Sequence, residues 1–441
     1  MPKWPFPRAW PRKRWQRFQA FAEKLTSAKV YSQALCALIA LTFLDVSPVV
    51  VGGSYLRFYQ LLSLLLLPLL LVRARGAKRQ PVVLAASSFT ALVVASNFWT
   101  SSASDTRLVS FGQIYLLTLF LGVLTALNLG ILTAQKVLLS LAVGATTCSA
   151  VAMVQFALAE LGIATAYTLS QSGIPWSRPP GTMREPDWAG LVAGMGLIIA
   201  LTWRLRRRWR LVLLLVNGAA FVITYVRTAF VALFITLILI VILPGARRQA
   251  RRAFAVAAAS VIAFVAAVSL VSPAFTARLD PRNFTAGVDG GAAHSRLAVI
   301  HFAIDQGKYH WLIGHGAGSI NAYVGLSVVK NTYGGGGELN GGHGSANLLA
   351  TTFFDLGLLG LSLVIVLMLA TVICAMARRG CDVATLAMTI FLLLSFMFSN
   401  GVRFAFVWIL FAVTASEQSQ GAYGPKTLVT PTSSPDVAVG G

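Results

Sequence analysis

All five histidines of the chain fall in one long hydrophilic stretch, residues 272–345, which is the longest break in its hydrophobic segments. Histidine changes charge near neutral pH and suits the work of a general base. The spacings between the five match no standard zinc pattern, so we predict neither a metal site nor a cofactor. A chain that concentrates its titratable groups in one segment is expected to do chemistry, or gating, there. The five are His294, His301, His310, His315 and His343.

The last of these histidines opens a second pattern, GHGSANLLATTFFDLGLLG. His343, Asn347 and Asp355 are four and then eight residues apart, which places them near one face if a helix begins by His343. An unpaired carboxylate inside an apolar helix is expensive. We expect His343 to act as a base or to orient an acceptor, with Asn347 and Asp355 supporting it. The alternative is that His343 is an ordinary loop residue and Asp355 a helix-packing partner.

Arg227 interrupts the apolar stretch NGAAFVITYVRTAFVALFITL. Residues 211–243 suffice only for two short helices, so the chain is predicted to turn at 225–228, with Arg227 at the membrane boundary. A lipid-facing arginine at the centre of a membrane span would cost about 2.5–3.5 kcal/mol. The side chain should therefore face a water-filled cavity or an anion. The alternative is an ordinary anchor that reaches the lipid headgroups.

The segment SRPPGTMREPDW carries a further group of charges directly ahead of a predicted helix. Arg178, Arg184 and Glu185 lie here, and Pro186 suits the first turn of that helix. Helix N-termini favour acidic groups and bound anions. Together with Arg227, these residues form a candidate wall of an anion site. The alternative is a polar loop with a helix cap.

Composition indicates which elements must position these residues. The chain has 441 residues, 56% hydrophobic and only 11% charged, which excludes an ordinary soluble domain. Its net charge of +22 sits in short basic clusters between apolar runs, a pattern typical of cytoplasmic loops and not of nucleic-acid binding. We predict an all-α polytopic bundle with both termini in the cytoplasm and about twelve transmembrane helices: 30–48, 57–72, 81–99, 108–128, 137–158, 189–203, 211–225, 228–243, 253–271, 346–372, 383–399 and 404–416.

The predicted spans divide the chain into five parts. Residues 1–29 form a basic cytoplasmic arm that also contacts membrane lipids, and residues 30–271 carry helices 1–9 with an external loop at 160–188. The long external loop 272–345 lies between helices 9 and 10 and contains a short helix near 293–308. Residues 346–416 hold helices 10–12, and 417–441 form a disordered cytoplasmic tail. No cleavable signal peptide and no disulfide are predicted.

The chain carries four short patterns, in the order RPPGTMREPDWAG, VRTAFVAL, RLAVIHFAID with WLIGHGAGSI, and ANLLATTFFDLGLLGL. Together and in this order, they resemble patterns of the O-antigen ligase and O-antigen polymerase superfamily of bacterial membrane glycosyltransferases. The resemblance runs from about Arg178 to Phe411. At two positions the chain departs from the family pattern: Val226 stands where the family has serine, and Ala346 where it has histidine. His343 lies about one helical turn before Ala346 and could serve the same space.

The resemblance implies a glycan donor linked to undecaprenyl diphosphate and a hydroxyl acceptor on a glycan, a lipid A core or a protein. It also implies a metal-independent, inverting transfer on the periplasmic face of the bacterial inner membrane. In this scheme Arg227 and Arg296 bind the diphosphate, assisted by Arg178 or Arg184 with Glu185 beside them.

The sequence also fits other functions. Within the same superfamily, the chain could polymerise repeat units on the lipid carrier instead of ligating a finished glycan. From another class, twelve helices with both ends inside also suit a transporter or a lipid-linked glycan flippase. A two-repeat carrier usually has its long connection between helices 6 and 7, inside, whereas the long loop here follows helix 9. A scaffold without chemistry is the third alternative.

Overall fold

A computed structural model describes the membrane-embedded part of the chain with several gaps. Lys29–Leu41 forms the first helix with established bounds, and Ser416 is the last residue described. Side chains are outside the description for residues 49–51, 54–56, 290–298, 321 and 324. The described residues are 20–21, 23–26, 29–45, 49–51, 54–71, 80–163, 178–183, 185–202, 206–242, 251, 255, 290–324, 347–377, 383–397, 399 and 403–416.

The described part is helical apart from one small antiparallel hairpin, in which β1 (Val49–Val51) pairs with β2 (Ser54–Leu56). In chain order the helices are α1 Lys29–Leu41, α2 Phe58–Leu71, α3 Pro81–Ala95, α4 Ala103–Asn128, α5 Ala134–Glu160, α6 Pro186–Thr202, α7 Arg207–Thr224, α8 Arg227–Ile242, α9 Gly290–Gly307, α10 Ile320–Val324, α11 Leu348–Ala377, α12 Val383–Phe396 and α13 Ala405–Ala415.

The predicted helical class is confirmed, and every predicted span except the ninth, 253–271, overlaps one of these helices. That ninth span lies largely outside the described residues. By length and composition, four helices of the described part can cross a membrane, and six shorter apolar helices accompany them. The number of twelve spans stays a prediction. The four are Pro81–Phe98, Ala103–Asn128, Ala134–Glu160 and Leu348–Ala377.

The first predicted span, 30–48, is too long at its C-terminal end, because α1 stops at Leu41. The chain then enters the hairpin, which the sequence reasoning did not predict. The sequence signal for the hairpin is a run of β-branched valines followed by a Gly-Gly pair. Asp45, which lies between α1 and the hairpin, forms a salt bridge with Arg57 just after it.

The centre of the bundle is α13, all of whose residues are buried. A helix that is apolar on every side suits either the interior of a bundle or a lipid environment, and the burial of all its residues places α13 in the interior. Trp408 meets Phe120 of α4 edge-on at 6.1 Å between ring centroids, and Phe406 stacks on Phe43 at 4.9 Å. The short α13 is therefore a core helix that positions its neighbours, including the chain just before it.

Loops predicted on the same side of the membrane contact one another. The N–H of Asp45 donates to the carbonyl of Thr182 at 3.0 Å, and the N–H of Ser101 donates to the carbonyl of His315 at 2.9 Å. At the other end of the bundle, the Ser32 hydroxyl donates to the carbonyl of Ile131 at 2.9 Å. Each of these contacts joins segments that the sequence predicts on one side of the membrane, and the topology itself stays a prediction.

Candidate functional site

The turn that carries Arg227 lies where the sequence predicts it. Helix α7 ends at Thr224, and α8 begins at Arg227. Between them Tyr225 is buried and left-handed, with φ 51° and ψ 51°, a conformation that is uncommon outside glycine. Arg227 occupies the first position of a helix, where unpaired backbone N–H groups and the helix dipole favour an anion.

Arg178 fastens the segment ahead of α6 to this turn. Its Nε donates to the carbonyl of Thr224 at 2.8 Å, and its Nη2 lies 2.6 Å from Oδ1 of Asp187. Asp187 belongs to the first turn of α6, which begins at Pro186, three residues before the predicted span 189–203. One guanidinium therefore joins the start of α6 to the end of α7, three residues before Arg227.

Two more of the predicted site residues, Glu185 and Arg184, belong to this segment. The carbonyl of Glu185 accepts the N–H groups of Trp188 and Ala189, both at 3.2 Å, so this residue caps α6 through its backbone. Arg184 lies outside the described residues. Of the residues predicted to bind the diphosphate, the structure thus brings Arg178 to the turn that precedes Arg227.

Helix α11 is broken at Gly357, where φ is 63° and ψ is −159°. L-residues with a side chain rarely adopt these angles. The break leaves the next N–H groups without helical partners, and the loop supplies them: Leu358 donates to the carbonyl of Trp311 at 2.7 Å, and Leu359 to that of Leu312 at 3.1 Å. A Cβ atom on Gly357 would collide with the backbone of Leu312.

Asp355 lies just before this break and holds the GHGAG segment, Gly314–Gly318. Its Oδ2 accepts the N–H of Gly318 at 2.8 Å, and its Oδ1 accepts that of Ile320 at 3.0 Å. The carbonyl of Asp355 accepts the N–H of Gly316 at 2.8 Å. The carboxylate is buried and compensated by backbone donors, and it also caps the N-terminus of α10.

Arg403 is a site residue that the sequence reasoning missed. It lies in the turn before α13, is partly buried, and interacts electrostatically with Asp355 and Asp105. Burial lowers the pKa of the Arg403 guanidinium, and the two carboxylates oppose that shift. The available signal was a lone arginine between two apolar spans, on the same predicted side as the long loop.

His315 is the described histidine nearest to this carboxylate. Its ring stacks on Phe354 at 4.4 Å between centroids and meets His310 edge-on at 4.4 Å. Its Nε2 lies 3.3 Å from the carbonyl oxygen of Gln306. Burial lowers the pKa of His315 below its ordinary 6.5, and the neighbouring His310 adds to the shift. His315 is therefore neutral at pH 7.

Asn347 caps α11 and ties it to the end of α12. Its Oδ1 accepts the N–H of Ala350 at 3.0 Å, and its Nδ2 donates to the carbonyl of Met397 at 2.5 Å. The helix begins at Leu348, and His343 lies outside the described residues, as does the side chain of Arg296. The helix bearing Arg296, α9, is present and matches the short helix predicted near 293–308.

An aromatic contact connects the two groups of site residues. Trp188, in the first turn of α6 close to Asp187, packs on Phe404 at 4.3 Å between ring centroids. Phe404 directly follows Arg403. The region of Arg178 and the region of Asp355 therefore meet through α6 and the chain that enters α13. Among the described residues, no three His, Cys, Asp or Glu side chains cluster as metal ligands.

Comparison with known protein families gives one match. Residues 211–365 match the model of the O-antigen ligase family. A comparison with curated proteins gives no match. The matched region contains Arg227, Arg296 and Asp355, and it includes three of the four sequence patterns that resemble this superfamily. The match supports the resemblance to this superfamily over residues 211–365, the region that is similar to the O-antigen ligase family.

Proposed function

We propose that the protein is a membrane glycosyltransferase of the O-antigen ligase type. It moves a glycan from undecaprenyl diphosphate to a hydroxyl acceptor on a glycan, a lipid A core or a protein. The observation that carries the proposal is the family match over residues 211–365, because this region contains Arg227, Arg296 and the break of α11 at Gly357.

In the proposed reaction, the acceptor hydroxyl oxygen attacks the anomeric carbon of the donor sugar from the face opposite the diphosphate. A new carbon–oxygen bond forms, the bond from the anomeric carbon to the diphosphate oxygen breaks, and its electron pair leaves on undecaprenyl diphosphate. The hydroxyl proton passes to a base, for which His343 is the candidate. The configuration at the anomeric carbon is inverted.

Fixed arginines supply the charge that such a leaving group needs. Negative charge develops on the departing diphosphate, and preorganised guanidinium groups stabilise it with paired hydrogen bonds. We assign this role to Arg227, at the start of α8, and to Arg296, on α9, with Arg184 assisting. Arg178 is better placed as a positioning residue, because its guanidinium already holds Thr224 and Asp187.

The site is proposed to face the periplasm, on the outer side of the inner membrane. The direction rests on the basic clusters between apolar runs, which mark cytoplasmic loops. The contacts of Ser101 with His315 and of Asp45 with Thr182 support a common face for the loops of the site. Both chain termini then lie in the cytoplasm.

A strain that lacks the protein tests the proposal, with surface glycans and lipid-linked intermediates as the readout. Long glycans that accumulate on undecaprenyl diphosphate indicate a ligase, and single repeat units that accumulate indicate a polymerase. If neither accumulates outside the membrane, the glycosyltransferase proposal fails and a transporter becomes the better explanation.

Complementation of that strain tests the arginine assignment. Arg227→Ala should abolish transfer at normal protein levels, and Arg227→Lys should restore only a small part of it, because an ammonium group lacks the paired donors of a guanidinium. Arg208→Ala is the matched control, since Arg208 is exposed at the start of α7 and should leave transfer unchanged. Full activity of Arg227→Ala would contradict the assignment.

A further inference from the structure

An exposed apolar patch lies on the long loop, next to the broken helix. The exposed fractions are 50% for Ile304, 70% for Tyr309, 56% for Trp311 and 45% for Leu312. A water-facing loop rarely shows adjoining large apolar side chains, and such patches mark a surface that something covers. Neither the proposed donor site nor the bundle core accounts for these four residues.

The patch continues directly onto a membrane helix. Trp311 and Leu312 accept hydrogen bonds through their carbonyls from the N–H groups of Leu358 and Leu359, at 2.7 and 3.1 Å. Leu358 and Leu359 are themselves 47% and 44% exposed. Exposed apolar residues of the loop and of the helix are thus joined by direct backbone hydrogen bonds.

Helix length sets the depth of this surface. With 30 residues at about 1.5 Å each, α11 is about 45 Å long, well over the roughly 30 Å of a hydrocarbon core. The break at Gly357 divides it. The part from Leu358 to Ala377 is about 20 residues long and crosses the core by itself. Gly357 therefore lies at the edge of the hydrocarbon, and Trp311 and Leu312 lie at the same level.

The chemistry of the patch fits that level. Tyrosine and tryptophan concentrate at membrane interfaces, where the ring is in apolar surroundings and the polar tip reaches water. The Lys308 ammonium lies 5.7 Å from the centre of the Tyr309 ring, and a lysine beside interfacial aromatics suits lipid phosphates. Contact with a second copy of this chain would not require aromatic rings with polar tips beside a lysine.

We propose that Ile304, Tyr309, Trp311 and Leu312 insert into the interface of the bilayer and anchor the long loop on lipid. The loop then lies along the membrane surface instead of projecting into water. The anchor holds the GHGAG segment and Asp355 at the depth of the lipid headgroups.

Tryptophan fluorescence in lipid nanodiscs tests the proposal on the intact protein. The discs contain phosphatidylethanolamine and phosphatidylglycerol, with acyl chains brominated either near the headgroup or near the chain end. The emission of Trp311 is obtained as the difference between the wild type and Trp311→Phe. Trp408→Phe is the buried control, because Trp408 is fully enclosed and its emission should resist every quencher.

We expect the Trp311 difference to be blue-shifted and to lose at least half its intensity with bromine near the headgroup, and clearly less with bromine near the chain end. Quenching by soluble acrylamide without quenching by brominated lipid would overturn the proposal in favour of a water-facing loop. Resistance to both would overturn it in favour of a protein cover. If Trp311→Phe fails to fold, Tyr309→Trp provides a second reporter in the same patch. The readout needs no glycan transfer, so it stands independently of the proposed function.

Discussion

The Oδ2 atom of Asp355 accepts a hydrogen bond from the backbone N–H of Gly318 at 2.8 Å, across 37 residues of sequence. With the second bond, from Ile320 to Oδ1, this carboxylate fixes the loop against the break in α11. The support that we expect Asp355 to give His343 stays a prediction, because His343 lies outside the described residues. The contacts of Asp355 hold the surrounding backbone in place.

Asp355→Ala is expected to destabilise the protein and to free the loop. The change leaves two buried N–H groups without acceptors, each costing about 1–3 kcal/mol. Asp355→Asn keeps one acceptor and should fall between the wild type and alanine. Thermal unfolding in detergent, with hydrogen exchange at 314–320, measures both effects. Asp305→Asn is the control, since Asp305 is exposed on the same loop; equal effects at the two positions would contradict the prediction.

Gly357→Ala is expected to be strongly destabilising. The residue has positive φ, and a Cβ atom would collide with the backbone of Leu312, so the loop must move away from the helix. The matched control is Gly112→Ala in α4, where a Cβ atom meets nothing within 4 Å. That change should be neutral or stabilise by about 0.5–1 kcal/mol. Melting temperatures of the two variants decide the matter, and a Gly357→Ala protein as stable as the control would refute the argument.

Arg178 and Asp187 are expected to act as a unit. Arg178→Gln and Asp187→Asn should each reduce transfer by slackening the turn before Arg227, and the double variant should be little worse than either single one. Because Asp187 is a third exposed, the coupling free energy should be only about 1 kcal/mol. A double-mutant cycle on transfer rates measures it. Strictly additive losses would mean that the two residues act separately.

We predict that the protein loses stability in mild acid because of His315. Its pKa is lowered in the folded protein by burial and by His310, so below its ordinary 6.5 the unfolded chain binds the proton more readily. Its contribution to stability is complete above pH 6.5 and is lost as the pH falls through the lowered pKa. His315→Phe should flatten the dependence of unfolding on pH in this range. His310→Gln should shift it toward higher pH, and an unchanged profile in both variants would exclude His315 as its source.

Several features followed from the sequence because local information decides them. The turn before Arg227, the approximate start of α6 and the helix near 293–308 depend on apolar periodicity, on proline and on the length of a membrane span. The alternation of basic clusters with apolar runs is likewise a local feature of the sequence. The family resemblance was likewise local, carried by short motifs.

Tertiary structure decided the contacts that make these motifs a site. Nothing near Arg178 in the sequence indicates that its guanidinium meets the carbonyl of Thr224. Equally, the motif around Asp355 does not reveal that Gly318 and Ile320 are its donors, or that Arg403 interacts with it electrostatically. Buried polar groups must find partners wherever the packed backbone brings donors and acceptors together. That pairing depends on the packing of helices far apart in the chain, and local patterns contain no record of it.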